Sequence, residues 1–309
     1  MTRLLAATDV LPKSEFAIDR AGLLADELGV ELSLLHVVSP VSSDRVLEQS
    51  LEMAIARMKS RVRRPLWRAE TTPEVVVRAG NPARVILDTL ASEEPSLLIV
   101  GPHDRRSSVV DALAGTIVEK AVSSRKSPVL MVQQSANVAY RNVLLALDSA
   151  PASRSALRAA ESLVLRGGAQ VTVVHACGGD HGVLRSIDAE AGGVPMRTDC
   201  SPDEATTAIR ALLEEESTDS RRYELVVAEG NPLRAITRAI AMHKPDLLVM
   251  GTRGDGRMRR AVLGSVANQL LKVAACDVLI VPRGVAEASV ALNVEATARS
   301  SAPMSARSF

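Results

Sequence analysis

The chemical capacity of this sequence is concentrated in small residues rather than in reactive ones. Gly251-Thr252-Arg253-Gly254 is followed by nine residues, Asp255 to Leu263, and then by Gly264-Ser265. Glycines without a Cβ let backbone N–H groups come close to phosphate oxygens. Val266, Leu270, Val273 and Ala274 share one face of the segment that Gly264-Ser265 opens, which predicts a helix. The N–H groups would then lie at a helix N-terminus, whose partial positive charge suits an anion. Arg253 adds a guanidinium that can reach a phosphate oxygen from the same loop. The competing reading is a tight loop that stabilises the fold and holds no ligand.

The elements that must position this loop emerge from an internal repeat. Arg3-Leu4-Leu5-Ala6-Ala7-Thr8-Asp9 returns as Asn142-Val143-Leu144-Leu145-Ala146-Leu147-Asp148, an offset of 139 residues from Asp9 to Asp148. Ser33 to Val37 returns at the same offset as Thr172 to Ala176, bringing His36 onto His175. Further along, Gly80-Asn81-Pro82 meets Gly230-Asn231-Pro232 and Pro95 to Gly101 meets Pro245 to Gly251, at an offset of 150. The extra residues fit the Gly-rich stretch Gly178 to Ser201, which reads as a long loop.

Apolar runs such as Leu97 to Val100 and Leu247 to Met250 suit strands covered on both faces. Helical periodicity lies between them, as in Ala17, Ala21, Leu24, Ala25 and Leu28 or Ala156, Ala160, Leu163 and Val164. Pro82 and Pro232, each behind an Asn able to cap, mark helix starts. The pattern predicts an α/β chain of two tandem units, each a five-stranded parallel sheet with helices on both faces. The units are placed at residues 1–136 and 137–283, with 284–309 as a weakly ordered tail. In such sheets ligands bind beyond the carboxyl ends of strands where strand order reverses, which brings the loops after strands one and four together.

Composition removes several classes of function. Thirty-seven basic against 36 acidic residues give a net charge of +1, so no bulk field draws the chain to nucleic acid or membrane. Aromatic residues make up 2%, too few to build stacking platforms for single strands. No apolar run approaches the roughly 20 residues that span a bilayer, and no secretory leader opens the chain, which predicts a cytoplasmic protein. Cys177, Cys200 and Cys276 show no CxxC spacing and read as reduced thiols. His103, His181 and His243 form no ligand pair at metal spacing.

Taken together, the glycine motif, the Leu147-Asp148 strand end and the Asn231-Pro232 helix start resemble the ATP-binding motif of universal stress proteins, and the resemblance covers about residues 2 to 283. It implies the flavodoxin-like (adenine nucleotide alpha hydrolase-like) fold and an adenine nucleotide, ATP or a relative, with Mg2+ or Mn2+ accompanying the phosphates. By this likeness Ala146 and Asp148 flank ribose and adenine, with Asp148 accepting from a ribose hydroxyl or helping to hold the metal. Ala176 lines the adenine and Met250 and Gly251 contact the nucleoside. Gly254, Gly264 and Ser265 contact the phosphates, and Val266 adds a backbone N–H. A strand-end Asp such as Asp148 also has a plainer role, capping the turn that follows it. The family resemblance further implies an internal pseudo-dimer joined through Val129 to Val132 and Val278 to Val281, homodimerisation of the tandem chain, a role in stress response, and an unidentified protein partner.

The first half departs from the motif. Gly101-Pro102-His103-Asp104 precedes a spacer one residue longer and then Gly115-Thr116, so a carboxylate replaces Gly254 and a proline removes a donor. Asp9 and Gly115-Thr116 persist, leaving weak binding open there. His36 and His175 lack a nucleophile or acid partner and read as structural. Arg57, Lys59, Arg61, Arg63 and Arg64 read as an exposed basic helix. The chain has no GxxxxGK[S/T] loop, which favours a nucleotide-binding regulatory protein over an efficient enzyme. A nucleotide-independent scaffold or chaperone-like module and a slow ATPase are the alternatives.

Overall fold

The computed structural model describes residues 3–11, 14–40, 43–62, 72–101, 111–135, 138–148, 150–163, 168–177, 201–217, 219–252 and 263–284. The first half runs β1 (Arg3–Thr8), α1 (Glu15–Leu28), β2 (Glu31–Val38), α2 (Asp44–Val62), β3 (Glu74–Ala79), α3 (Pro82–Glu93), β4 (Leu97–Val100), α4 (Asp111–Ser124) and β5 (Val129–Met131). The second half runs β6 (Asn142–Ala146), α5 (Pro151–Leu163), β7 (Gln170–Cys177), α6 (Pro202–Glu216), β8 (Tyr223–Glu229), α7 (Pro232–His243), β9 (Leu247–Gly251), α8 (Ser265–Val273) and β10 (Asp277–Val281).

The helix starts follow their local chemistry. Asn81 accepts from the Arg84 N–H at 3.1 Å, and Asn231 accepts from Leu233 and Arg234 at 2.9 and 3.3 Å. The missing N–H of Pro82 and Pro232 falls in a first turn that has no use for it. Ser201 and Glu204 close a capping box on α6. No helix among the described residues is long and apolar enough to cross a membrane.

Each half is a parallel sheet, and the two fuse into a single ten-stranded sheet ordered β3-β2-β1-β4-β5-β10-β9-β6-β7-β8. The one antiparallel pairing among the described strands lies at the middle, where Val129, Leu130 and Met131 face Ile280, Leu279 and Val278. This pairing covers two edges that would otherwise expose unpaired backbone. Central strands are buried on both faces, with Leu97, Leu98, Leu247, Leu248 and Val249 fully inaccessible. One core lies under α1, α2, α5 and α6, the other under α3, α4, α7 and α8.

A buried polar knot ties the halves beside this pairing. The inaccessible Asp277 carboxylate accepts from the Gln133 and Gln134 N–H groups at 2.7 and 3.2 Å and from the Tyr140 hydroxyl at 2.7 Å. Arg20 of α1 faces it at 3.3 Å, lies 3.8 Å over the Tyr140 ring and donates to the Val138 carbonyl at 2.9 Å. Burial raises the Asp277 carboxyl above its ordinary range, against the pull of Tyr140, the linker N–H groups and Arg20. Burial likewise pushes the adjacent Cys276 thiol up to about 12, leaving it neutral. Cys177 and Cys276 are buried thiols outside any disulfide, and Cys200 lies outside the described residues.

Of the basic run in the first half, Arg57 and Lys59 are exposed as read, Arg61 is not, and Arg63 and Arg64 lie outside the described residues. Arg61 is buried, donating to both carboxylate oxygens of Asp19 at 2.6 and 2.8 Å and facing Glu15 at 3.4 Å. Alternation of charge along a helix does not reveal which residue meets an acid on another helix. At the matching seam of the second half the signs are reversed. Arg154 and Arg158, 139 residues beyond Glu15 and Asp19, pair with Glu215 and Glu216 of α6.

Candidate functional site

At the carboxyl ends of β6, β7 and β9 the strand order reverses, since β6 pairs with β7 on one side and β9 on the other. A cavity of about 120 Å³ opens there, walled by the apolar side chains of Ala146, Val174, Ile236 and Met250 and closed by the first turns of α5 and α8. Gly251 is required at its rim. A Cβ there would sit 2.6 Å from the carbonyl oxygen of Ala152, in the first turn of α5.

Asp148 stands at the mouth. Its Oδ1 accepts from the Ala150 N–H at 2.9 Å and the Ser153 hydroxyl at 2.7 Å, while the Ser153 oxygen accepts from the Asp148 N–H at 2.8 Å. Oδ1 therefore caps the turn, and Oδ2 makes no hydrogen bond with any described residue. His175 lines the cavity behind it. Its Nδ1 lies 2.8 Å from the Leu147 carbonyl, which can only accept, so that nitrogen carries the proton. The ring thus extends the β6–β7 pairing one rung past the end of β6, beside the Leu147 N–H to Val174 carbonyl bond of 3.1 Å. His36 makes the same 2.8 Å contact with the Thr8 carbonyl, as a structural role repeated in both halves requires.

The other side of the cavity is the start of α8. Gly264 is its N-cap and supplies no side-chain acceptor, unlike Asn231 on α7 or Ser201 on α6. The first-turn N–H groups that Ser265 and Val266 bring to the cavity wall have no side-chain cap. The arrangement can take an anionic group at this end and an apolar, hydrogen-bonding group at the other.

The corresponding corner of the first half is built differently. Thr8 occupies the position of Leu147, and its buried hydroxyl donates to Ser14 at 2.9 Å and accepts from the Val10 N–H at 3.0 Å. Ser14, the counterpart of Ser153, is thereby taken from Asp9. Asp9 is exposed and, among the described residues, accepts only from the Leu11 N–H, at 3.0 Å. Val10 adopts φ 62°, an uncommon conformation for a β-branched residue, and buries its side chain in the core. Identical residues at Asp9 and Asp148 thus lead to different sites.

Of the residues singled out from the sequence, Ala146, Asp148, Ala176, Met250, Gly251, Gly264, Ser265 and Val266 all line the one cavity. Arg253 and Gly254 lie outside the described residues, as do Pro102, His103 and Asp104. Ala152, Ser153 and His175 were not expected at the site. Ser153 had a signal in the sequence, its register with Ser14 five residues past a strand-end Asp. No described cluster of three His, Cys, Asp or Glu could hold a metal.

The universal stress protein family model matches this chain twice, over residues 1–133 and 139–282. The chain belongs to the universal stress protein family. A universal stress protein of Thermus aquaticus is 29% identical over 143 residues, 46% of this chain and 98% of its own length. One from Mycolicibacterium smegmatis is 21% identical over 296 residues, covering 90% of this chain and 96% of its own, so the tandem arrangement is shared along nearly the whole length. The solved structure of a universal stress protein from Archaeoglobus fulgidus superposes with a TM-score of 0.60 at 19% identity, covering 91% of this chain and 98% of that one. This universal stress protein therefore carries two family domains in one chain.

Proposed function

We propose that the second half of this universal stress protein binds ATP or a related adenine nucleotide and acts as a nucleotide-dependent regulatory module. The observation that carries the reading is a cavity at the strand-order reversal that ends on an uncapped helix start. Base and ribose would lie between Ala146, Ala176 and Met250, with the Oδ2 of Asp148 accepting from a ribose hydroxyl. Phosphates would take the N–H groups of Ser265 and Val266, where the helix field favours negative charge. Arg253 and Gly254 would complete the phosphate side.

A divalent ion would bring charge neutralisation to the phosphates. Asp148 is the only carboxylate lining the cavity among the described residues. Mg2+ or Mn2+ would then be held largely by phosphate oxygens and water, as such ions commonly are. The absence of a P-loop lysine from the sequence favours retention of the nucleotide over rapid hydrolysis. The first half, with Asp9 turned to solvent, would bind more weakly.

Calorimetric titration of the full chain with ATP tests the reading. Gly264→Val places a branched side chain beside the N–H groups and should weaken binding about tenfold or more, equivalent to about 1.4 kcal/mol. The matching change in the first half, Gly115→Val, should leave the high-affinity site intact. Unchanged affinity in Gly264→Val would remove the proposed site.

A further inference from the structure

At the opposite end of the sheet, the amino-terminal ends of β1, β2 and β3 hold a guanidinium. Arg3 places Nη1 3.0 Å from Glu74 and 3.8 Å from Glu93, and Nη2 3.1 Å from Glu31. Ser33 donates to the same Glu74 oxygen at 3.0 Å. Four elements converge on one planar cation.

The second half has the same frame without the cation. Register fixes the equivalence, because Arg3 pairs with Glu31 as Asn142 pairs with Gln170, and Ser33 with Glu74 as Thr172 with Glu224. His243 stands 150 residues beyond Glu93. These five counterparts, Asn142, Gln170, Thr172, Glu224 and His243, all line a single cavity of about 270 Å³. Thr172 donates to Glu224 at 3.3 Å, holding that carboxylate as Ser33 holds Glu74. The space is the imprint of the Arg3 side chain, emptied by the shorter Asn142.

We propose that this cavity is a binding site for a guanidinium group supplied from outside the chain. Glu224 offers the anionic partner, and the side-chain carbonyls of Asn142 and Gln170 and the Thr172 oxygen offer acceptors for the remaining N–H groups. Arg222 also lines the cavity, but its Nη1 lies 3.8 Å from Glu161 and its guanidinium stands 5.8 Å from the Tyr223 ring. Glu224, Glu161 and Arg222 together leave one net negative charge, which selects a cation. A single carboxylate in place of three makes the site weaker than its filled counterpart and suits reversible recognition. The site lies away from the nucleotide cavity and does not depend on it.

Two sources present this group, a small guanidinium compound and an arginine side chain on another polypeptide. Backbone resonances of the full-length protein would be followed while adding Nα-acetyl-arginine N-methylamide, with the lysine analogue at equal ionic strength as the control. Saturable shifts at Asn142, Gln170, Thr172 and Glu224 with the arginine compound alone are expected. Asn142→Arg should refill the cavity from within and abolish them. Glu224→Gln should weaken binding about three- to fivefold, the range of a partly exposed ion pair. His243→Glu, restoring a carboxylate, should strengthen it. A tighter response to the tripeptide Gly-Arg-Gly than to ethylguanidinium assigns a polypeptide source, and the reverse a small molecule. Equal shifts with the lysine analogue, no saturation, or an unaltered response in Asn142→Arg with the fold intact by circular dichroism would overturn the proposal.

Discussion

Replacing Gly251 with alanine tests whether the first glycine of the motif is held by packing as well as by any ligand. The added Cβ would lie 2.6 Å from the Ala152 carbonyl oxygen, 2.7 Å from its carbon and 2.9 Å from its Cβ. All three atoms are anchored to backbone, so no side-chain rotation relieves the contact. Reaching an ordinary van der Waals separation of 3.4 Å requires the first turn of α5 to retreat by about 0.8 Å from β9. Overpacking of this kind costs about 1–3 kcal/mol, and the loss of unfolded-state freedom on Gly→Ala returns about 0.4–1 kcal/mol. A net loss of about 1.5 kcal/mol corresponds to a fall of roughly 3–6 °C in the midpoint of the second half. Gly101→Ala meets the Ser14 Cα at 2.8 Å, its Cβ at 3.2 Å and its N at 3.7 Å, longer contacts, and should cost less. Urea unfolding and scanning calorimetry of both variants give the comparison. If Gly251→Ala matched wild-type stability, or lost less stability than Gly101→Ala, the close approach of α5 to β9 would not constrain this glycine.

The remaining expectations follow from single contacts. Tyr140→Phe removes the hydroxyl 2.7 Å from the buried Asp277 carboxylate and should lower stability by about 1.5–3 kcal/mol, read by urea unfolding. His175→Leu leaves the Leu147 carbonyl without its donor and should lower both stability, by about 1–3 kcal/mol, and ATP affinity, whereas His175→Asn, whose amide nitrogen can reach the same carbonyl, should recover both. His36→Leu should lower stability alike but leave ATP affinity unchanged. Hydrogen bonds from Arg158 and Arg154 hold the Glu216 carboxyl below its ordinary range. A depressed folded value stabilises above the unfolded carboxyl pKa of about 4.3 and fades as pH falls through it. The stability gap between wild type and Glu216→Gln should therefore narrow on acidification, and a gap constant from neutral pH to pH about 3 would refute the ion-pair reading.

Legibility in the sequence followed the range of the interactions involved. Pro82 and Pro232 marked their helices because an N-cap and a missing N–H act within four residues. The apolar runs of β4 and β9 were visible because burial on both faces leaves no polar alternation. Eight of the ten proposed contact residues converge on one cavity because strand order and loop position follow from the parallel repeat. His175 was recognised as structural, yet its place in the cavity wall was not foreseen. Its Leu147 partner lies on another strand, 28 residues away.

By itself the sequence determined that the chain is doubled, that each unit alternates strand and helix, and that one glycine-rich turn opens a helix without a capping side chain. These are consequences of periodicity and backbone freedom, which neighbouring residues impose. Tertiary structure alone decided that Arg61 is buried on Asp19, and that Asp9 faces water while Asp148 edges a cavity. It also decided that Arg3 fills one sheet end whose counterpart is open. Each depends on which distant side chain supplies a partner or a vacancy, and that is set only when separate elements pack together.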